Sequence, residues 1–382
     1  MIVLVINCGS SSAKYQLFDV KNRGLLVRGI VERIGAAGAN LKYQIDGKAF
    51  HKKVTCPDHY VAINIIVDSL VDPRHGIIKS KDQIKGIGHR VVHGGEEFTS
   101  STRITPRVIK SIEKYSELAP LHNPPALLGI KACSKILRGL EQVAVFDTSF
   151  HHTMPPEAFL YGLPFKFYKK YGIRKYGFHG TSHRFVAEQA AKVLKRPLES
   201  LKLITCHLGN GCSMAAVKNG KSVDTTMGFT PLEGLLMGTR SGDLDPAVVF
   251  YLMEKEKLAS NRISDILNKE SGLLGLSGVS NDMRDIIKAA RGCGMPSLRA
   301  KMSLEMFIYR IEKYIGAYQA AMSGLDAVIL TAGIGENNPW IVRRIEKDLK
   351  NVVSKKVKFL VVPTNEELLI ARDTYHIIKG SK

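Results

Sequence analysis

The chain has 382 residues, 45% of them hydrophobic, and 55 lysines and arginines against 35 aspartates and glutamates give a formal net charge of +20. This length predicts two or three domains with sizeable cores, and the lack of a long apolar run or a signal peptide favours a cytoplasmic protein without a membrane partner. The six cysteines include no C-x-x-C pair, so neither a zinc site nor a disulfide framework is expected, and the thiols should be reduced.

The first predicted element is a buried strand that ends in a polar turn. Met1–Ile6 is apolar, branched and too short for a helix, and Asn7–Ser12 is a turn rich in hydroxyl groups. Backbone N–H groups and serines in such a turn can surround an anion, and Lys14 adds a compact positive charge. On this fragment alone, a phosphate-binding hairpin and an ordinary polar hairpin are equally good interpretations.

Further elements follow from capping signals and apolar runs. Proline and capping residues predict helices over Asp58–Val71 and Pro106–Leu118, and an amphipathic helix is predicted over Ser182–Leu194 after a Gly-Thr-Ser cap. The last predicted helix is Glu366–Tyr375. The strand Ile84–Gly88 would place Arg90 just after its end, and the buried strand Gln142–Phe146 ends at Asp147. A carboxylate in that position is common in the clefts of α/β folds, although Asp147 could equally cap a helix or pair with a neighbouring histidine.

A second polar hairpin and a third loop follow in the other half of the chain. Leu201–Val217 again passes from an apolar strand through a Gly/Asn turn into a second apolar strand, and Ala327–Thr331 is a buried strand before a Gly-x-Gly turn. No loop matches G-x-x-x-x-G-K-[ST], so a Walker-type site is not expected. Three loops in this order predict a duplicated α/β domain that clamps a nucleotide between its two copies.

Nine segments along the chain resemble those of a known family. They are NCGSSSAKYQLFD, GHRVVHGG, FDTSFHHTMP, YGFHGTSH, HLGNG, TPLEGLLMGTRSGDLDP, DMR, GIGEN and PTNEELLIARDT. The sequence resembles acetate kinases, of the superfamily that includes sugar kinases, heat-shock ATPases and actin. The resemblance implies an α/β fold of two ribonuclease-H-like domains with an ATP cleft between them. The stretch between Asn338 and Pro363 is shorter than the family pattern, which concerns peripheral helices.

The resemblance also implies a domain division and a reaction. Residues 1–148 and 368–382 would form the first domain, and residues 149–367 the second, which would bind nucleotide and form a homodimer. The reaction would be reversible, Mg²⁺-dependent transfer of a phosphoryl group from ATP to acetate, giving acetyl phosphate and ADP, with Mn²⁺ as a second candidate ion. Two alternatives stay open: a kinase for propionate or another short-chain carboxylate, and a non-enzymatic, actin-like nucleotide switch. No zinc finger or RNP-like motif indicates a specific nucleic-acid partner.

The resemblance assigns four sets of site residues. The catalytic set is Asp147, His179 and Arg240. The substrate-binding set is Arg90, Val92, Leu121, Phe178 and Pro231. The ATP-binding set is Lys14, His207, Leu208, Gly209, Asn210, Gly211, Asp282, Met283, Arg284, Gly333, Ile334, Gly335, Glu336 and Asn337. The metal set is Asn7 and Glu366.

The residues themselves allow structural alternatives for several of these roles. Two loop arginines suit bidentate recognition of carboxylate and phosphate, but Arg240 could instead pair with Asp243 or Asp245. Glu366 could be an ordinary acidic residue at a helix start. Acetate is already ionised near neutral pH, so the expected role of Asp147 is orientation rather than strong base catalysis.

The acceptor pocket is expected to be small. The valine at position 92 favours a two-carbon acid, because relatives that act on propionate tend to carry a smaller residue there. From the sequence alone, the apolar members of the substrate-binding set are equally consistent with core packing. One methylene in such a pocket is worth only about 1–3 kcal/mol, so overlap between acids is expected.

Overall fold

The computed structural model describes residues 1–22 and 24–380, which form two compact units. The first unit comprises Met1–Phe150 and the C-terminal segment that starts at Asn365, and the second comprises His151–Thr364. Within the described ranges, no helix has both the length and the apolar character needed to cross a bilayer.

The first unit is built on one mixed sheet with helices on its faces. Its described strands are β1 (Ile2–Cys8), β2 (Ser12–Asp19), β3 (Gly24–Glu32), β4 (Asn40–Ile45), β5 (Lys48–Lys53), β6 (Ile84–Val91), β7 (Thr102–Arg103) and β8 (Gln142–Phe146). Its helices are α1 (His59–Leu70), α2 (Pro106–Lys114), α3 (Asn123–Ile136) and, from the C-terminal segment, α14 (Glu366–Lys379). Short 3-10 helices lie at Lys81–Gln83 and Tyr115–Glu117.

The second unit has a smaller sheet and more helices. Its described strands are β9 (Lys202–Leu208), β10 (Cys212–Lys218), β11 (Lys221–Thr225), β12 (Ala327–Thr331) and β13 (Lys358–Val361). Its helices are α4 (Pro156–Phe159), α5 (Phe165–Tyr171), α6 (Gly180–Leu194), α7 (Pro246–Lys255), α8 (Ser260–Asp265), α9 (Gly272–Ser277), α10 (Met283–Ala290), α11 (Gly294–Met322), α12 (Ala332–Asn337) and α13 (Pro339–Asp348). A π-helical turn at Ile266–Glu270 follows α8.

The two sheets share the same strand plan. The first has the order β5-β4-β3-β2-β1-β6-β8-β7, and the second β11-β10-β9-β12-β13. In each, the first strand of a hairpin pairs antiparallel with its successor and parallel with a later strand, as β1 does with β2 and β6, and β9 with β10 and β12. The stretches β3-β2-β1-β6-β8 and β11-β10-β9-β12-β13 therefore match in order and direction, which confirms the predicted duplication of an α/β domain.

Burial of β1 on both faces explains why the hairpin lies at the centre of the first sheet. Leu4 and Ile6 join a cluster with α1 and α3 on one face, whereas Val3 and Val5 pack against Ile370 and other residues of α14 on the other. A strand covered on both faces has a continuous apolar sequence rather than an alternating one. Burial on both faces therefore explains the continuous apolar run at the start of the chain.

Several predicted boundaries differ from the structure, and pairing explains most of them. β6 continues to Val91 because it is bonded to β1 and β8 on its two sides, so Arg90 lies inside the strand rather than after it. α2 ends at Lys114 and gives way to a 3-10 turn. The Gly-x-Gly segment after β12 is the short helix α12 rather than a turn.

The start of α6 also differs from the prediction. The helix begins at Gly180, and His179 is its N-cap in the left-handed conformation, with φ of 55° and no side-chain capping bond. The expected Gly-Thr-Ser cap is therefore wrong, because Thr181 and Ser182 already lie in the first turn. The His179 side chain does not cap the helix, and its Nδ1 instead lies 2.9 Å from Ser213 Oγ.

We expect Gly88→Ala to destabilise the protein by about 1–3 kcal/mol. A Cβ at Gly88 would lie 2.5 Å from Thr374 Oγ1 and 2.6 Å from Ile370 Cγ2, so β6 could no longer pack closely on α14. Urea unfolding of the purified variant measures the change in the free energy of unfolding.

Gly316→Ala in α11 is the matched control. A Cβ there would meet nothing within 4 Å, and alanine favours a helix over glycine by about 0.5–1 kcal/mol. Equal stability of the Gly88→Ala variant and the parent would show that α14 does not depend on this close contact.

Candidate active site

Three predicted residues of the first unit lie at one edge of its sheet. Asn7 is near the end of β1, Arg90 near the end of β6, and Asp147 directly after β8. These three strands run parallel and are neighbours, so their carboxyl ends meet at the same edge. The backbone N–H of Asp147 continues the pairing by donating to the Val91 carbonyl oxygen at 2.9 Å.

Arg90 and Asp147 form a close, partly buried ion pair. Arg90 Nη2 donates to Asp147 Oδ2 at 2.6 Å, and Nε lies 3.1 Å and 3.2 Å from the two carboxylate oxygens. The Asp147 side chain is 1% exposed. Burial lowers the pKa of Arg90, but the carboxylates of Asp147 and Glu366 outweigh it, so the net shift is upward. The guanidinium thus stays charged and fixed in direction.

Glu366 adds a second carboxylate beside Arg90. It is the first residue of α14, and its Oε2 lies 4.0 Å from Arg90 Nη1. Burial raises the pKa of Glu366, and the positive charges of Arg90 and Lys14 offset only part of this effect. Burial and the Glu366 charge likewise raise the pKa of Glu367. A positive charge added here would favour the ionised carboxylates.

In the second unit, two predicted histidines stack on one another. The ring centroids of His179 and His207 are 4.2 Å apart, with 24° between the planes. His179 Nδ1 lies 2.9 Å from Ser213 Oγ, and His207 Nδ1 lies 2.8 Å from Ser182 Oγ. Each ring is therefore oriented by a serine hydroxyl.

A buried chain of polar groups continues from Ser213. Its Oγ also lies 2.7 Å from His183 Nε2, and His183 Nδ1 lies 2.7 Å from Thr205 Oγ1. Ser213, His183 and Thr205 are fully buried, and burial lowers the pKa of His183 well below its ordinary value. His183 is thus neutral, with one donor and one acceptor nitrogen. The sequence alone did not predict this series of hydrogen-bonded groups. Its only sign was the second histidine in the FHGTSH motif.

Gly211 is the point on which His179 and Arg240 converge. A Cβ added at Gly211 would lie 3.6 Å from His179 Nε2 and 3.6 Å from Arg240 Nη1. A glycine in the turn between β9 and β10 thus leaves room that any side chain would fill. The same reasoning applies at Gly209, where a Cβ would lie 3.8 Å from His207 Nε2.

Arg240 pairs with neither Asp243 nor Asp245, so the alternative in which it is one half of a local ion pair is wrong. Its Nη1 donates to the Pro231 carbonyl oxygen at 3.2 Å, and burial lowers the pKa of the guanidinium. Asp243 instead accepts from Tyr314 and pairs with Arg310, and Asp245 caps α7. Among the described residues no carboxylate forms an ion pair with Arg240.

A cavity of about 660 Å³ lies in the second unit beside this turn. Its lining residues are Gly209, Asn210, Asn281, Asp282, Met283, Arg284, Gly333, Ile334, Asn337 and Asn338. Eight of these ten belong to the predicted ATP-binding set. Asn281 and Asn338 were missed, although each directly follows or precedes a motif residue. Asn281 donates to Asn210 Oδ1 at 3.0 Å, which links the segment before α10 to the turn.

Other members of the predicted ATP-binding set have different surroundings. Leu208 and Gly335 are buried. Glu336 Oε1 accepts from Thr331, from the Ala332 N–H and from the Thr364 N–H. It therefore braces the start of α12 rather than lining the cavity. Lys14 belongs to the first unit, on β2 opposite Asn7.

The predicted apolar pocket residues are distributed over both units. Val92 is half-buried just after β6, and Leu121 is 63% exposed in the loop before α3. Phe178 is 2% exposed beside His179, and the Pro231 carbonyl holds Arg240. The high exposure of Leu121 excludes a role in the core of its own unit.

Metal-binding capacity in the described part of the chain rests on few side chains. No group of three or more His, Cys, Asp or Glu residues is close enough there to hold an ion. A site that relies on one or two oxygen ligands and several waters is the pattern of Mg²⁺ rather than of zinc.

Comparison with known proteins gives one consistent picture. A model of the acetokinase family matches residues 2–354. An acetate kinase of Desulfitobacterium hafniense (strain DSM 10664 / DCB-2) is 52% identical over 400 aligned residues, which cover 99% of this chain and 100% of the relative. The crystal structure of Porphyromonas gingivalis acetate kinase is 44% identical and superimposes with a TM-score of 0.93 over 99% of both chains. A propionate kinase from Francisella tularensis is 40% identical, with a TM-score of 0.91 over 98% of this chain and 99% of its own.

We expect Glu366→Gln to raise the stability of the protein at pH 8 but not at pH 4. The pKa of Glu366 is higher in the folded than in the unfolded chain, so its ionisation disfavours folding. This cost is complete above the folded pKa and vanishes only below the unfolded pKa of about 4.3. The midpoint of thermal unfolding should rise by about 2–4 °C at pH 8. The exposed Glu117→Gln is the control, and a gain that is the same at both pH values would contradict the argument.

Proposed function

The chain belongs to the acetokinase family and has its type of activity, phosphoryl transfer to a carboxylate acceptor, and we propose that ATP is the donor and acetate the acceptor. The products are acetyl phosphate and ADP, and the reaction is reversible. Transfer is direct and in line, because the site offers positive charge and hydrogen-bond donors rather than a placed nucleophile.

The observation that carries this proposal is the convergence of His179 and Arg240 on Gly211. An imidazole nitrogen and a guanidinium that pairs with no carboxylate in the described part of the chain face one glycine beside a large cavity. Donors of this kind, held before the substrate arrives, stabilise the negative charge of a transferring phosphoryl group. We assign nucleotide binding to the cavity and its ten lining residues, with the His207–Gly211 turn beside the phosphates.

Arg90 is the proposed partner of the acceptor carboxylate. Asp147 holds one side of its guanidinium, so the remaining N–H groups keep a fixed direction in which a second carboxylate can bind. Asp147 then acts by orientation. Acetate needs no deprotonation near neutral pH, and a general base would add nothing.

Asn7 and Glu366 are the proposed metal ligands. An amide oxygen and a carboxylate are ligands that Mg²⁺ accepts, and the raised pKa of Glu366 indicates a carboxylate that a divalent cation would stabilise. When bound, Mg²⁺ neutralises charge on the phosphate oxygens. Mn²⁺ has the same ligand preference and could replace it.

The hydrogen bonds among Thr205, His183 and Ser213 determine which ring nitrogen of His179 carries the proton. In one arrangement Thr205 donates to His183 Nδ1, His183 Nε2 donates to Ser213, and Ser213 donates to His179 Nδ1. The His179 proton is then on Nε2, where it can be donated to a phosphoryl oxygen without adding charge. In the reverse arrangement Thr205 must turn to the Ala215 carbonyl oxygen, 3.5 Å away, which is too long for a strong bond. The first arrangement is thus favoured.

The second unit also offers a surface for self-association. Within the described residues, α7 and α11 expose large apolar side chains, among them Phe250 at 70%, Tyr251 at 61% and Leu298 at 61%. Exposed apolar area on this scale is typical of an interface between subunits, and we propose a homodimer formed through this unit.

The proposed location of the protein is the cytoplasm. Its buried cysteines are free thiols, which suit a reducing compartment.

The test of the proposed function is acyl phosphate formation, trapped as hydroxamate, with MgATP and acetate, propionate or butyrate in parallel. We expect the highest kcat/KM with acetate. Val92→Ala should raise the propionate-to-acetate ratio of kcat/KM by roughly tenfold, since it enlarges the pocket by about two methyl groups.

Leu128→Ala serves as a matched control, because it removes an exposed apolar residue of the same unit outside the predicted pocket. Preference of the parent for propionate would keep the mechanism and favour the propionate kinase alternative. ATP binding without product from any acid would favour the nucleotide switch and refute the kinase.

We expect Ser213→Ala to lower kcat roughly tenfold, because His179 loses the hydroxyl that fixes its ring and its proton. KM for ATP should change less than twofold. Ser213→Thr retains the hydroxyl and should recover most of the loss, although its extra methyl group reduces stability. Normal turnover of a folded Ser213→Ala enzyme would show that the serine does not position His179.

A further inference from the structure

The loop that carries Arg240 is closed at its base by a single aspartate. The loop runs from Gly234 to Asp243, and we call it the arginine loop. The Gly234 N–H donates to Asp243 Oδ1 at 2.8 Å, and the Asp243 N–H donates back to the Gly234 carbonyl oxygen at 2.9 Å. One residue thus ties both ends of the loop, by its side chain and its backbone.

The same aspartate joins the arginine loop to a long helix. Tyr314 on α11 donates its hydroxyl to Asp243 Oδ2 at 2.6 Å. Arg310, one turn earlier on α11, lies 3.6 Å from Oδ2 and donates to the Asp243 carbonyl oxygen at 3.4 Å. Both oxygens of the Asp243 carboxylate are therefore used, one within the loop and one on the helix.

The backbone of the loop allows little adjustment. Gly234 has φ of +107° and Gly242 has φ of +67°. A Cβ at Gly242 would lie 2.3 Å from the Leu235 carbonyl oxygen and 2.5 Å from that of Gly234. A tight loop of this kind transmits a shift at its base directly to Arg240, three residues before Asp243.

We propose that Asp243 and Tyr314 are positioning residues for Arg240. They hold the arginine loop at the distance from α11 at which the guanidinium faces Gly211, and they contribute to turnover without contacting a substrate. The inference rests on the proposed function of Arg240. This role explains why the Asp243 carboxylate binds residues of α11 and does not pair with Arg240, although only three positions separate the two residues in the sequence.

Tyr314→Phe tests this inference, and Tyr318→Phe is its matched control. Both tyrosines lie on α11 one turn apart, but the buried hydroxyl of Tyr318 has no hydrogen-bond partner among residues 1–22 and 24–380. We expect Tyr314→Phe to lower kcat roughly tenfold with KM for ATP changed less than twofold, whereas Tyr318→Phe leaves kcat unchanged. A purely structural role would affect both variants alike or would appear only as a lower melting temperature.

A double-mutant cycle identifies the residue through which Tyr314 acts. In an Arg240→Ala background, Tyr314→Phe should have less than a twofold effect on the residual turnover, because the group that it positions is gone. The same tenfold loss in both backgrounds would overturn the proposal, as would unchanged kcat in Tyr314→Phe alone.

Hydrogen exchange gives a readout that needs no activity. Peptides that span the arginine loop should exchange faster in Tyr314→Phe than in the parent or in Tyr318→Phe. Unchanged exchange would refute the inference even if the enzyme makes acetyl phosphate. Faster exchange in a protein that phosphorylates no acid would instead refute the proposed function and leave the loop anchor in place.

Discussion

Parallel strand pairing is the constraint on which both units depend. Parallel neighbours cannot be joined by a tight turn, so the chain must cross a sheet face before each new strand and return to the same starting edge. The carboxyl ends of β1, β6 and β8 therefore coincide, and Asn7, Arg90 and Asp147 become neighbours although up to 140 positions separate them. β9 and β12 do the same for His207 and the start of α12. The duplication repeats this constraint, and each unit thereby gains one polar edge.

The two predicted site arginines, one in each unit, are held by opposite means, and electrostatics explains the difference. Arg90 has a buried carboxylate partner, which stabilises its charge and leaves only part of the guanidinium for a ligand. Arg240 has a carbonyl oxygen and a rigid loop, so its charge is not neutralised and burial lowers its pKa. Arg240 is half-buried, and partial desolvation of a charge without a counter-ion is unfavourable. Binding of an anion would offset that cost, which supports the proposed role of Arg240 in stabilising charge that develops during transfer.

The parts of this structure that were predictable have strong local signals. The α1 helix follows its Asp58 cap, and β8 matches an apolar run exactly, because local propensity and burial agree there. The hairpins and the duplicated plan were visible in repeated apolar and polar segments. Most residues that line the cavity beside the β9–β10 turn were predicted because they lie in short, recognisable motifs.

What the sequence did not show depends on contacts between distant residues. β6 extends past Gly88 because two neighbours bond to it, and no window of sequence contains those partners. The hydrogen bonds of His183 join α6 to Thr205 on β9 and Ser213 on β10. In the sequence, this threonine and this serine look like ordinary strand residues. The sequence suggests Asp243 only as a partner of Arg240. Its actual partners, Arg310 and Tyr314, lie about seventy residues later in the chain.

A serine hydroxyl group contacts each of the paired histidines, and this arrangement suits the proposed phosphate chemistry. In a Ser-His-Asp triad a carboxylate orients the histidine and stabilises its protonated form. Here Ser213 and Ser182 orient His179 and His207 with neutral groups. A carboxylate in either place would add negative charge where the proposed reaction brings phosphate oxygens, and the repulsion would grow where the local dielectric is low. Neutral hydroxyls keep the rings fixed without this cost, so the positive charge of Arg240 remains available to the anion.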